Sequence, residues 1–332
     1  MEGLTDFHMR HALTRLARYD WCVTEFIRVS DRVLPRRVFL QACPELRTGA
    51  RTAAGTPVHI QLLGSDPALM AGNAARAAEM GAPAIDLNFG CPAKTVNHHR
   101  GGAILLDEPE TVHAIVAAVR RAVPAQVPVS AKMRLGVRDR ARMLDNARGI
   151  EAAGASWLTV HARTKDDGYR PPAHWDAIAG IVAAVTLPVV ANGEIWTPDD
   201  AARCRAAAGT DALMLGRGAV TRPDLAAGIV GDARTLDWPA MVQAQLDFLA
   251  HMESAHRYGE PLDNDDAALM KAANVVEPLR WTEAGIVGRY KQWLGMLTRG
   301  FAEAGPLFQQ VKRTCRLAEV RALLQASAAP PA

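Results

Sequence analysis

The chain has 332 residues, of which 49% are hydrophobic and 22% charged, so it can bury a large core and is typical of a globular protein. Its formal charge of +3 does not by itself indicate a nucleic-acid-binding protein. The five cysteines form no C-x-x-C pair, which favours reduced thiols in a cytoplasmic protein over a disulfide framework. The N-terminal segment lacks the basic and apolar regions of a signal peptide, and we predict no membrane segment.

Seven short apolar or β-branched runs alternate with alanine-rich segments whose apolar residues recur at three- and four-residue spacing. This alternation predicts parallel strands that are joined by helices. The predicted strands are 22–29, 58–64, 84–90, 127–135, 156–164, 188–195 and 212–219.

Polar residues gather at the C-terminal ends of these strands. They are Gln61, Asn88 with Cys91, Lys132 with Arg134, His161 with Arg163, Asn192 with Glu194, and Arg217. Barrel enzymes build their sites at that face from several strands, whereas an open sheet concentrates its ligand groups at one switch point. We therefore predict an α/β fold, a (β/α)8 TIM barrel. A barrel needs eight strands and seven are visible, so either the first strand, expected just before the loop-like segment that starts at Met1, is truncated or absent from this chain, or the barrel is permuted or open.

From residue 237 onward the pattern is helical only. We predict a barrel domain at 1–236, a small helical domain at 237–325 and a disordered tail at 326–332, with a surface excursion at 259–280. Arginine and lysine outnumber acidic residues after Ile286, which fits either a solvated helix face or an RNA-binding surface.

Cys91 follows a predicted strand and stands between Gly90 and Pro92, which would present its thiol on a fixed loop. A thiol with the ordinary pKa of about 8.5 is mostly protonated at neutral pH and can donate a proton. His98 and His99 lie in the same segment, so a nucleophilic cysteine beside an imidazole base stays an alternative. The spacing is not that of a metal site.

The ends of the last two predicted strands carry Gly193, Gly216 and Arg217. In many barrels the corresponding loops bind a phosphate through backbone N–H groups, and glycine lets the backbone approach it closely. Lys132 and His161 could meet over the barrel mouth, where a lysine would face an anion or a reduced flavin ring.

Together, several motifs resemble those of the tRNA-dihydrouridine synthase family across essentially the whole chain. They are MEG-x-TD, TEF-x-RV, VHIQLLG, DLNFGCPAKTV, AKMRLG, VHARTKDDGY, NGEI and GRGA. The L-N-x-G-C-P and H-x-R-T segments are highly specific in combination. The segments FIRV, GYR and RYKQWL are similar to bacterial subfamily C of that family, whose members reduce uridine 16 in the D-loop of tRNA.

The resemblance implies a barrel with bound FMN, a helical domain that binds tRNA, and NADPH as the reductant. It implies that hydride passes to C6 of uracil and that Cys91 protonates C5. The residues it assigns to FMN are Met1, Glu2, Gln61, Lys132, His161, Asn192, Gly193, Glu194, Gly216 and Arg217. The residues it assigns to tRNA are Arg28, Asn88, Tyr169, Arg289, Lys291 and Lys312. We expect a cytoplasmic monomer without a metal.

Two features depart from the family pattern. A short apolar strand leading into Ala-Pro is expected before Met1, and a start codon assigned too late would explain its absence. The segment 259–280 is longer than expected for the subfamily. Two other functions stay open: a flavin barrel acting on a free pyrimidine, and a tRNA-binding protein that has lost flavin and catalysis. A basic helical domain would be of little use to the first of these.

Overall fold

The computed structural model describes residues 3–98, 100–232, 235–254 and 281–328. Within these residues one parallel sheet runs through the first two thirds of the chain. Its strands are β1 (Cys22–Val23), β2 (Ile27–Arg28), β3 (Val58–Leu63), β4 (Ile85–Phe89), β5 (Val129–Arg134), β6 (Leu158–His161), β7 (Val189–Asn192) and β8 (Leu213–Met214). Each neighbours the next in chain order, except that β1 and β2 both pair with β3.

Helices follow the strands as the sequence predicts. The helices are α1 (Phe7–Leu16), α2 (Arg36–Ala42), α3 (Pro67–Glu79), α4 (Lys94–His98), α5 (Pro109–Ala122), α6 (Met143–Ala152), α7 (Trp175–Ala184), α8 (Pro198–Ala208), α9 (Arg217–Thr221), α10 (Leu225–Ile229), α11 (Trp238–Ser254), α12 (Glu283–Leu297), α13 (Ala304–Val311) and α14 (Leu317–Ser327). Short 3-10 helices cover Pro44–Thr48 and Gly102–Asp107. No helix in the described part of the chain is long and apolar enough to cross a membrane.

The predicted barrel-type fold with a helical C-terminal region is confirmed, with corrections to the strand limits. The strand expected at 22–29 is two pieces, because the N–H of Gln61 donates to the Thr24 hydroxyl (3.0 Å) instead of continuing the ladder. The strand expected at 212–219 stops at Met214, and Arg217 already begins α9. Among the described residues, β1 and β8 end the strand order and no ladder joins them, so the curved sheet is an incomplete ring.

The sheet is covered on its outer face by the helices. Every residue of β3 and β4 is buried, as expected for parallel strands packed on both sides. The main apolar cluster lies between the sheet and α3, α5, α6, α7 and α8. On the inner face, the ladder places Gln61 opposite Asp86, Asp86 opposite Ser130 and Asn88 opposite Lys132. Since alternate residues of a strand share a face, this register gathers polar side chains inside the ring.

Helix α1 connects the sheet to the helical region. Its Met9 and Leu13 lie in the apolar cluster that α11 to α14 form. On its other side, Arg10 makes a buried ion pair with Glu45, at 2.8 Å. The predicted domain boundary near 236 therefore divides the strands from the C-terminal helices along the sequence. In the fold, however, α1 packs against both the sheet region and the helical region. The predicted tail starts at 326, whereas α14 runs to Ser327; the excursion 259–280 lies outside the described residues.

Candidate active site

A cavity of about 1070 Å³ opens at the C-terminal ends of the strands. It is lined by all the predicted flavin residues that the structure describes, namely Gln61, Lys132, His161, Asn192, Gly193, Glu194, Gly216 and Arg217. Cys91, Asn88 and Tyr169 line the same cavity. Met1 and Glu2 lie outside the described residues. The strand ends thus converge as the sequence predicts.

The loop that carries Cys91 is held by the side chain of Asn88. The Asn88 Oδ1 accepts hydrogen bonds from the N–H groups of Gly90 (2.9 Å) and Cys91 (3.0 Å). The carbonyl of Cys91 in turn accepts from Asn97 Nδ2 at 2.9 Å. The resemblance assigns Asn88 to the target nucleotide; although it lines the cavity, both ends of its amide are occupied within the protein. Its visible role is to fix the cysteine loop.

A chain of buried hydrogen bonds continues from Asn88 into the sheet. Asn88 Nδ2 donates to Gln61 Oε1 (2.8 Å), and Gln61 Nε2 donates to the Asp86 carboxylate (2.7 Å). The Ser130 hydroxyl donates to the other oxygen of Asp86 at 2.6 Å. Burial raises the pKa of Asp86, while its bonds to Ser130 and Gln61 and the charge of Lys132 act in the opposite direction. Sequence reasoning missed Asp86 and Ser130, since neither stands at the C-terminal end of its strand.

Lys132 is a half-buried cation that lines the cavity. Its Nζ donates to Asn192 Oδ1 at 3.2 Å, and the amide of Asn192 is fixed by a bond to the Met214 carbonyl at 2.7 Å. Burial and the nearby Arg134 lower the pKa of Lys132 to about 8, against the opposing influence of Asp86 and Cys91. A half-buried ammonium group that donates to one amide oxygen among the described residues suits an electron-rich or anionic ligand.

His161 lies on the neighbouring strand, next to Gly193. Its ring is buried, and Nδ1 has no hydrogen-bond partner among the described residues. Burial and the charges of Lys132, Arg134 and other arginines lower the pKa of His161, so the ring is neutral at neutral pH. Gly193 has a φ of 115°, and a Cβ there would come within 3.2 Å of His161 Nε2. The backbone conformation therefore favours glycine, and any side chain there would crowd the His161 ring.

Glu194 is one of the residues that the resemblance assigns to FMN, and the structure gives its carboxylate a partner within the protein. Arg163, a fully buried side chain, forms an ion pair with Glu194. The other carboxylate oxygen accepts from the indole Nε1 of Trp196 at 3.0 Å. The residue has a φ of 58°, which turns the backbone at the end of β7. Since two anions repel, Glu194 can serve a phosphate only through this backbone turn.

Arg134 ties the cysteine loop to the loop of Tyr169, a connection that sequence reasoning missed. Its Nε donates to the Gly90 carbonyl at 2.8 Å, and its Nη1 donates to the carbonyls of Thr164 (2.8 Å) and Gly168 (2.9 Å). The Arg134 and Arg217 guanidinium groups lie 5.4 and 4.8 Å from the centroid of the Tyr169 ring. Tyr169 is 56% exposed, so an aromatic ring stands open to solvent at the cavity.

The four other residues predicted to contact tRNA lie away from the cavity lining. Arg28 is exposed on β2 and donates to the Thr95 carbonyl, in the helix that follows Cys91, at 3.3 Å. Lys312 is exposed at the end of α13. Lys291 donates to the carbonyls of Lys312 (3.0 Å) and Thr314 (2.6 Å), so two of its bonds stabilise the end of α13.

Arg289 does not lie where the sequence predicts. It is only 5% exposed, and its Nε donates to Asp6 Oδ2 at 2.9 Å. Its Nη2 donates to the carbonyl of Leu4. The guanidinium group therefore joins α12 to the start of α1. The resemblance assigns Arg289 to tRNA, whereas in the structure its side chain makes a buried contact within the protein.

Comparisons with known proteins identify the family of the chain. Residues 1–281 match the model of the family described as "Dihydrouridine synthase (Dus)". The tRNA-dihydrouridine(16) synthase of Aquipseudomonas alcaligenes is 50% identical over 320 residues, which cover 94% of this chain and 93% of that protein. The tRNA-dihydrouridine(16) synthase of Pseudomonas syringae pv. tomato is 49% identical, over 98% of this chain and 97% of the relative.

Among solved structures, the chain resembles 6-hydroxypseudooxynicotine amine oxidase from Pseudomonas geniculata with a TM-score of 0.52 and 14% identity. The match covers 74% of this chain and 47% of that one. At this identity the likeness supports the fold alone. The family model covers most of the chain, and the two bacterial relatives align over nearly its whole length. The chain therefore belongs to the dihydrouridine synthase family.

Proposed function

We propose that this protein reduces a uridine in the D-loop of tRNA, at position 16, to 5,6-dihydrouridine, with bound FMN and with NADPH as the reductant. The observation that carries the proposal is the convergence of the Cys91 loop, Lys132 and His161 on one cavity at the strand ends. The two aligned relatives are tRNA-dihydrouridine(16) synthases, which supports the substrate and the position.

The residues of the cavity fit a flavin mononucleotide. Lys132 and the Nδ1 of His161, which has no hydrogen-bond partner among the described residues, offer polar groups to the ring system. The backbone turn at Gly193 and the side chain of Arg217 suit its phosphate, since Arg217 has no carboxylate partner among the described residues. Held by these residues, FMN would supply redox chemistry, that is, the transfer of a hydride equivalent from NADPH to C6 of the uracil.

Cys91 completes the reduction by supplying the proton. As the C5=C6 double bond of uracil becomes single, C5 needs one proton, and the S–H bond of Cys91 breaks as the C5–H bond forms. The thiolate is then reprotonated from water. Asn88 holds the thiol in place through the backbone N–H groups of its loop, and Arg134 fixes the adjacent Gly90 carbonyl. The loop thus gives the acid one orientation toward the base.

A uridine within folded RNA reaches such a site only after it leaves its stack. The exposed ring of Tyr169, flanked by Arg134 and Arg217, suits an unstacked base beside the thiol. The buried cavity thus serves the base and the cofactor, and the exposed cations around it serve the RNA backbone.

The test compares two substrates with the purified, flavin-loaded protein and NADPH. We expect dihydrouridine in unmodified tRNA, mapped to position 16, and none from free uridine. Reduction of free uridine at a comparable rate would favour a pyrimidine dehydrogenase. A colourless protein that binds tRNA without reducing it would indicate a binding protein. Dihydrouridine at position 20 alone would refute the assigned position.

A further inference from the structure

Trp196, at the edge of the cavity, has two arginines against its ring. The guanidinium carbon of Arg217 lies 5.2 Å from the ring centroid, and that of Arg299 lies 4.9 Å from it. Arg217 follows β8, whereas Arg299 follows α12 in the helical region. The indole is thus the point where a cation of the helical region reaches the wall of the cavity.

The Trp196 ring is held in position by the protein itself. Its Nε1 donates to Glu194 Oε1 at 3.0 Å, and its backbone N–H donates to Asp200 Oδ2 at 3.0 Å. Asp200 belongs to the capping box that begins α8. A ring fixed at both its indole nitrogen and its backbone gives Arg299 a rigid surface on which to lie.

The two cations at Trp196 have no anionic partner in the part of the chain that the structure describes. Neither Arg217 nor Arg299 forms an ion pair with any carboxylate that the structure describes. Arg203 offers a contrast, since it lies over the Trp175 ring at 5.9 Å but is paired with Asp200. Two like charges at one ring repel each other, so the arrangement is stabilised when an anion binds between or beside them.

The positions of the two arginines indicate that they bind different ligands. Arg217 lines the cavity, where the proposed cofactor phosphate would lie, whereas Arg299 is exposed and is not part of the lining. An exposed cation at the rim faces the large ligand that covers the opening. The proposed function makes that ligand an RNA, whose backbone phosphates match the planar fork of arginine.

We propose that Arg299, held over Trp196 at the rim of the cavity, binds a backbone phosphate of the tRNA. The contact couples the helical region to the cavity wall and orients the RNA while its uridine is in the site. This inference rests on the proposed function.

The experiment uses the flavin-loaded full chain with the Arg299→Ala substitution. We expect tRNA affinity to fall about tenfold near 0.1 M salt, as for one charged hydrogen-bonded contact. The plot of log affinity against log salt has a negative slope, and the magnitude of this slope should fall by about 0.9. Arg299→Lys should keep the wild-type slope because it keeps the charge. The matched control is Arg203→Ala, which removes an exposed arginine from a tryptophan ring and should leave both quantities unchanged.

Flavin titrations of the apoprotein decide between the two phosphate sources. We expect Arg299→Ala to bind FMN and riboflavin as the wild type does. A loss of FMN affinity with unchanged riboflavin affinity would assign Arg299 to the cofactor phosphate and overturn the proposal. Unchanged tRNA affinity would also overturn it. If the wild type makes no dihydrouridine, the proposed function fails; if it does and Arg299→Ala binds tRNA equally well, only this inference fails.

Discussion

At Lys132, burial and charge act on the same ammonium group. Burial and the nearby Arg134 lower its pKa to about 8, although Asp86 and Cys91 favour the charged form. The ammonium is therefore fully charged only well below pH 8. In the flavin-free protein this makes the binding of an electron-rich ring sensitive to pH in a range where an ordinary lysine would not titrate.

We expect flavin affinity to fall as pH rises through about 8, by up to about tenfold per pH unit, because neutral Lys132 must take up a proton to serve the ring. Fluorescence titrations between about pH 6.5 and 9.5 would measure this. Lys132→Met should bind flavin more weakly, with the pH dependence above about 8 largely removed. An equally steep dependence in the Lys132→Met variant would show that another group is responsible.

The role of Cys91 leads to a separate test. Cys91→Ala should keep flavin binding and NADPH oxidation, because the thiol supplies only the proton to C5. Dihydrouridine formation should fall about a hundred- to ten-thousand-fold, the usual contribution of a general acid. Mass spectrometry of the tRNA nucleosides measures the product. The control is Cys315→Ala, since Cys315 is exposed on the helical region. A Cys91→Ala variant that still forms dihydrouridine at the wild-type rate would contradict the proposed role.

At the level of elements, the loop after β4 shows what a sequence can and cannot predict. Gly90 and Pro92 predict a fixed loop, and Cys91 does line the cavity. The sequence does not reveal that Asn88 fixes the loop or that Asp86 lies behind it. These bonds depend on the ladder register that sets Gln61, Asp86 and Ser130 side by side. A register is a relation between strands, so the spacing along any single strand does not contain it.

The strand limits and the helical cations show the same limitation. The seven predicted strand positions are correct, but their ends are too long where a side chain or a helix start interrupts the ladder, as at Thr24 and Arg217. In α12, helical periodicity predicts that the side chains of Arg289 and Lys291 project from different sides of the helix. It does not tell which of the two faces the protein, because that depends on the packing of α1.

For the whole molecule, α1 is the element that joins the sheet to the helical region. Its Arg10 pairs with Glu45 on the sheet side, while Asp6, its N-cap, pairs with Arg289 of α12. Burial alone would raise the pKa of Asp6, but the hydrogen bond and charge of Arg289 lower it overall. The pair therefore stabilises the folded protein at neutral pH. Below the ordinary value of 3.8, this contribution is lost as Asp6 takes up a proton.

We expect Arg289→Ala to lower the free energy of unfolding by about 2–4 kcal/mol, because it leaves a partly buried carboxylate without its cation. The side chain of Asp6 is 27% exposed, which keeps the loss below that of a fully buried pair. Chemical denaturation at pH 7 measures it. Lys312→Ala removes an exposed cation and should change stability by less than about 0.5 kcal/mol.

A double-mutant cycle with Asp6→Asn isolates the pair, because asparagine keeps the N-cap bond to the Met9 N–H while it removes the charge. We expect the two substitutions to be non-additive by about 1.5–3 kcal/mol, the value of a hydrogen bond to a charged group. The stability difference between wild type and Arg289→Ala should shrink as the pH falls below about 3.8, where Asp6 is neutral in the unfolded chain. Additive effects would show that the two side chains act independently. A loss of tRNA affinity with unchanged unfolding would make Arg289 the tRNA contact that the family resemblance implies.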